Sequence, residues 1–141
     1  MTATPDAATA VVVTTTDSAD EAERLARGLV EARLAACVQI VGPVRSAFRW
    51  EGSVSVETEW QLVVKTAAAR VDELSAWIVA EHSYDVPEVI AVPVVGGYAP
   101  YLRWVMQETE RSSTRDAGDG AERSSTRDAG DERLTATPPG A

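Results

Sequence analysis

The sequence is short of the residues that most chemistry needs. It has one histidine, His82, one lysine, Lys65, and one cysteine, Cys37, in 141 residues. A single cysteine excludes an internal disulfide. No apolar run approaches the ~20 residues that cross a bilayer as a helix. The opening segment, MTATPDAATA, has neither a basic region nor a long apolar one, so it does not read as a secretory signal. Together these features point to a cytoplasmic protein. Basic charge is scarce as well: the net charge is −9 and the sequence pI about 4.5. Nucleic-acid backbones and anionic membranes attract basic surfaces, so neither is an expected partner, whereas cationic partners and metal ions stay open. The G-x-S-x-G elbow, the phosphate-binding loop, CxxC and H-E-x-x-H are all missing. We expect a protein that is not an enzyme.

What is present divides the chain. Residues 110–119 read ERSSTRDAGD, and residues 122–131 repeat them without change. Neither copy has a large apolar side chain, so neither buries enough surface to offset chain entropy. Two copies are also too few for a solenoid. The reading is an N-terminal extension over 1–9, one folded domain over 10–109 and a mobile polar tail over 110–141. The tail holds five basic and seven acidic residues, against eight basic and fifteen acidic in the rest. The acidity therefore belongs to the folded part. A domain near 100 residues buries a bit over ~60% of its unfolded surface, enough for a modest core.

Within that domain, Ala10–Thr15 is a β-branched run and reads as a strand. Ser18-x-x-Glu21 fits a capping box, and Asp20, Glu21 and Glu23 suit the positive end of a helix running to about Leu34. Ala22, Leu25, Ala26, Leu29 and Val30 make its apolar stripe, with Gly28 marking a close approach. Ala36–Val41 is a second strand, interrupted at Gly42-Pro43 by a bulge or bend. Ala67–His82 reads as a second helix, Val89–Val95 as an edge strand carrying Pro93, and Tyr101–Glu108 as a last helix with Pro100 in its first turn.

Between the second strand and the second helix lies the strongest pattern in the chain. Val44, Ser46, Phe48 and Trp50 alternate before Gly52; Val54, Val56, Thr58, Trp60, Leu62 and Val64 alternate after it. This period of two predicts a long hairpin. If the two apolar stripes share a face, Trp50 pairs with Val54 and the loop is Glu51-Gly52-Ser53. The same register sets Arg45 opposite Glu59 and Arg49 diagonal to Glu57. The element order is βαββαβ plus a C-terminal helix, an α+β ferredoxin-like sandwich with an antiparallel sheet. One sheet face is left open, and the open face and protruding hairpin call for a partner subunit. An RNA-binding module shares this strand order, but it needs a basic surface with stacked aromatics, which the acidic domain lacks.

LAACV at 34–38, FRWEG at 48–52, E-x-x-L-x-x-K-T at 59–66, HSYDVPEV at 82–89 and Y-L-x-W at 101–104 occur in that order. In these motifs the chain resembles the CutA family of divalent-cation tolerance proteins, over about residues 10–108. The resemblance implies a ferredoxin-like subunit, a homotrimer built through the hairpin, a cytoplasmic location and a role in tolerance to copper or another divalent cation. It also implies a likeness to PII-type signalling trimers, in which Lys65, Arg45 or Arg49 would face a pocket for a small anionic ligand.

His82 is the residue we single out as a metal ligand, with Glu81, Asp85 or Glu88 as neighbouring carboxylates. One imidazole with scattered carboxylates makes a weak site. Some family members carry a cysteine where this chain has Thr14-Thr15-Thr16, and a second histidine where it has Glu81; Ser83 replaces the usual proline. Copper(I)-suited ligands are thus fewer here. Cys37 reads as a small buried residue, and Trp50, Trp60 and Trp104 as packing anchors. Lys65, Glu59 and Tyr84 fall at recurrent family positions and are read as structural.

Overall fold

The computed structural model describes residues 8–111. Most of the duplicated tail lies outside them. The first strand, β1 (Thr9–Thr16), is rich in β-branched side chains, which suit a pleated surface. Ser18 caps the first helix, α1 (Ala19–Glu31), its hydroxyl accepting the Glu21 amide at 3.1 Å. Ala22, Leu25, Ala26 and Leu29 are buried along α1, while Val30 sits on its exposed flank. The helix stops in a Schellman turn. Arg33 takes a left-handed φ of 62°, the Leu34 amide reaches the Leu29 carbonyl, and the Arg33 amide reaches that of Val30, each at 3.0 Å. There follow β2 (Cys37–Trp50), β3 (Ser53–Ala67), a short 3₁₀ turn, α2 (Val71–Glu81), β4 (Ile90–Pro93) and α3 (Ala99–Glu108).

The strands form one sheet in the order β2-β3-β1-β4, with every pairing antiparallel. This is the expected ferredoxin-like arrangement with an added C-terminal helix. Val12, Leu62 and Val64 point from the sheet into one core with Leu25 and Leu29 of α1 and Leu74 and Ile78 of α2. Full burial of each such side chain is worth about 1.5–3 kcal/mol. Gly28 lets α1 approach α2: a Cβ there would lie 2.6 Å from the indole of Trp77. The second sheet face is not wholly open. α3 packs against β1 and β3, Val105 is fully buried, and Tyr101 lies beside Cys37.

The hairpin departs from the sequence reading in two linked ways. Trp50 pairs with Ser53, so the loop has two residues, Glu51 and Gly52, with φ of 51° and 86°. Positive φ at both positions suits the right-handed twist of a tight hairpin. The second departure lies at Gly42-Pro43, where β2 gains one residue relative to β3 between Val41↔Gln61 and Val44↔Glu59. One inserted residue flips every later side chain to the other face. Val44, Ser46, Phe48 and Trp50 therefore share a face with Ser53, Ser55, Glu57 and Glu59. Arg45, Ala47 and Arg49 face with Val54, Val56 and Thr58. Arg45 thus stands opposite Thr58, to whose hydroxyl it donates at 2.9 Å, rather than Glu59. The bulge itself fits the chain around it, because Gly42 leaves room for the Trp60 indole, 2.4 Å from where a Cβ would be.

Candidate functional site

Beyond Thr16↔Trp60 the described part of β1 gives β3 no further partner. From there the hairpin continues as a two-stranded arm. Buried Thr14, Thr15, Thr16, Glu21, Glu59 and His82 gather at the root of that arm, around the segment that joins α2 to β4.

His82 caps the C-terminus of α2, and its side chain is fully buried. The Tyr84 amide donates to its Nδ1 at 3.0 Å, and its Nε2 lies 2.8 Å from the Thr15 carbonyl. An amide can only donate and a carbonyl can only accept, so Nδ1 is bare and Nε2 carries the proton. Both ring nitrogens are thereby engaged by backbone. A metal ion at His82 would have to displace one of these partners. Among the described residues no three His, Cys, Asp or Glu side chains converge as a metal-holding group, so there is no preformed metal centre of that kind.

Glu21 turns its carboxylate from the helix cap toward the same segment. It accepts the Ser83 amide and the Ser83 hydroxyl, each at 2.8 Å, and the Thr16 hydroxyl. Arg24 touches it at 3.4 Å and also donates to the Glu81 carbonyl at 3.0 Å. Burial disfavours the charged carboxylate, but the Thr16 and Ser83 bonds outweigh it and hold Glu21 below its usual carboxylate range.

Across the sheet, the Tyr84 hydroxyl donates to Glu59 Oε2 at 2.9 Å. Tyr84 is 3% exposed and Glu59 1%. Burial and the Glu59 carboxylate push the Tyr84 phenol far above its ordinary range. Glu88 reaches the Thr15 hydroxyl at 3.5 Å, and burial and the Glu59 charge raise its carboxyl. Asp17 is likewise raised, by burial and by Glu21.

The remaining candidates lie apart. Cys37 pairs with Lys65, which pairs with Val11 on β1. That is four residues along β1 from Thr15, roughly 13 Å at strand rise, so Cys37 and His82 do not meet. Lys65 donates to Gln39 on the exposed sheet face. Because of the bulge, Arg45 and Arg49 lie on the sheet face opposite Lys65, and the three do not line one pocket within the subunit. Trp60 packs on the core, whereas Trp50 and Trp104 are 36% and 39% exposed. Sequence reading missed Glu21 and Ser83 as site residues. The Thr14-Thr15-Thr16 run followed by an acidic first helical turn was the available signal, since it places hydroxyl donors beside a carboxylate.

The molecule is thus a ferredoxin-like α+β subunit with an overlong hairpin and a buried polar junction at its root. The model of the CutA1 divalent ion tolerance protein family matches residues 10–108. The chain belongs to that family. It is 41% identical over 99 residues to the divalent-cation tolerance protein CutA of Thermus thermophilus, covering 70% of this chain and 96% of that protein. It is also 41% identical over 102 residues to the chloroplastic protein CutA 1 of Oryza sativa, covering 72% of this chain and 58% of that one. The chain spans just over half the length of the plant and animal relatives it matches. The crystal structure of CutA1 from Oryza sativa superposes with a TM-score of 0.72 at 40% identity, covering 74% of this chain and 96% of that one. The structure described as the periplasmic CutA of Archaeoglobus fulgidus gives 0.70 at 37% identity, covering 72% and 99%. No helix among the described residues is long and apolar enough to cross a membrane.

Proposed function

We propose that this chain is a non-enzymatic, cytoplasmic member of the CutA family. It works as a homotrimer joined through the β2–β3 arm and takes part in tolerance to copper or another divalent cation. What carries the assembly reading is the arm. Val54 is 63% exposed and Val56 49%, on one face, and Trp50 is exposed on the other. An arm with apolar side chains on both faces is stabilised only when both are covered, and copies of the same chain are the simplest cover. Light scattering across a micromolar dilution series tests this. The expected mass is three times the 15.0 kDa chain at every concentration; a stable monomer rejects it.

The metal contact in this reading is weak, because His82 gives up a backbone bond to bind. Calorimetric titration with copper(II) or zinc is expected to show weak binding that His82→Ala reduces. No heat beyond dilution for the unmodified protein rejects the metal part while leaving the assembly part standing.

A further inference from the structure

We infer that Tyr84 is a clamp that fixes the pose of the β2–β3 arm relative to the body of the subunit. The inference rests on the reading that this arm makes the assembly, and it adds what holds the arm in place.

The root of the arm is the one place in the sheet where two weakening features coincide. The three-strand ladder narrows to two strands after Thr16↔Trp60, and β2 carries its extra residue directly opposite, between Val41 and Val44. A two-stranded ribbon leaving a sheet at a bulge has little to set its angle. Glu59 is the first residue of β3 past that point, yet it is 1% exposed. Its hydroxyl donor, Tyr84, comes from the segment after α2, twenty-five residues on in sequence.

Tyr84 is itself tied down from both sides. Its amide is bonded to His82, whose other nitrogen meets the Thr15 carbonyl of β1, and the two rings lie 4.6 Å apart. The preceding residue, Ser83, is bonded twice to Glu21 of α1. A continuous set of contacts, buried from His82 onward, therefore runs from α1 and β1 through Ser83, His82 and Tyr84 to Glu59 on the arm. A phenol bonded to a buried carboxylate is a charge-assisted bond, stronger and more directional than a neutral one. Losing the donor leaves a buried charge short of a partner, which favours swinging Glu59 toward water and with it the root of the arm.

The test is hydrogen exchange on the full chain, read separately for the arm (residues 44–59) and for β1 with the body half of β3 (residues 60–67), alongside mass by light scattering. Tyr84→Phe is expected to raise arm exchange at least tenfold relative to body exchange and to move self-association to at least tenfold higher concentration. Glu59→Gln keeps an acceptor for the phenol but loses the charge assistance, so its arm exchange should rise by less than that of Tyr84→Phe; if Tyr84→Phe does not fold, an unchanged arm-to-body exchange ratio for Glu59→Gln overturns the clamp. Equal acceleration of arm and body, or no change in the arm for Tyr84→Phe, overturns the clamp. If the unmodified protein proves monomeric, the assembly reading fails, and the arm-to-body exchange ratio alone still decides the clamp.

Discussion

Removing the Glu21 carboxylate should cost about 3 kcal/mol at neutral pH. The side chain is 9% exposed and accepts the Ser83 amide, the Ser83 hydroxyl and the Thr16 hydroxyl, with Arg24 beside it. Bonds to an ionised acceptor contribute about 1.5–3 kcal/mol each, but they are not additive here. The two hydroxyls can rotate to other acceptors, whereas the Ser83 amide cannot, so Glu21→Ala loses that bond in full and parts of the others. Loss of an acidic residue from the first turn of α1 adds about 0.5 kcal/mol. At 4–8 °C per kcal/mol for a domain this size, the midpoint should fall by roughly 12–24 °C at fixed protein concentration. The pH dependence separates this from a packing defect. Glu21 is held below its usual range in the fold, so the unfolded chain binds more protons than the native one across that interval. Its contribution is full above the ordinary value of 4.5 and is lost as pH falls through the lowered native value. Asp17 and Glu88, both raised, have the opposite sign and return stability as pH falls. The difference between the unmodified protein and Glu21→Gln, measured by urea denaturation from pH 7 to 3, should therefore shrink below about pH 4.5. A loss under about 1 kcal/mol for Glu21→Ala, or a pH-independent difference for Glu21→Gln, refutes the reasoning.

Three backbone positions give further predictions. Arg33 occupies the left-handed C′ site of α1, so Arg33→Gly should remove about 1 kcal/mol of strain, less a few tenths for glycine's freedom in the unfolded chain; a lower urea midpoint would count against it. Glu51 holds positive φ in the two-residue turn, and Glu51→Asn should stabilise by about 0.5–1 kcal/mol by the same measurement. Gly28→Ala gains up to ~1 kcal/mol of helix propensity but drives a methyl into Trp77, so overpacking of about 1–3 kcal/mol should win. The sign should reverse in a Trp77→Leu background, and a stabilised Gly28→Ala single variant contradicts the close approach.

Local signals in the sequence were read well where local physics decides. The Ser18 cap, the close approach at Gly28, the Gly42-Pro43 bulge and Pro100 at the start of α3 all follow from local geometry. The junction at the arm's root was not legible in the same way. Its bonds join residues 62 to 67 apart, Ser83 to Glu21 and His82 to Thr15, and no spacing rule reaches that far. His82 shows the consequence. As the lone histidine beside carboxylates it reads as a ligand, but burial hands both its nitrogens to the backbone, because a buried amide and a buried carbonyl must be satisfied.

The hairpin register failed for a more instructive reason. The bulge is visible in the sequence and so is the alternation, but pairing the two apolar stripes that flank Gly52 on one face ignores the change of face that the bulge imposes on β2. One extra residue is enough to transpose it. Had β2 run straight, Val44, Phe48 and Trp50 would join Val54 and Val56 on one apolar face, leaving the opposite face of the arm polar. With the bulge, each face instead carries one apolar strand and one polar strand. The first arrangement suits a flap laid on a surface. The second suits an arm enclosed on both sides, with polar neighbours on each face to fix register, and it turns Arg45 to the face opposite Glu59, which bonds Tyr84 instead. The bulge that upsets the simple reading is thus the feature that gives the arm its two-sided apolar surface.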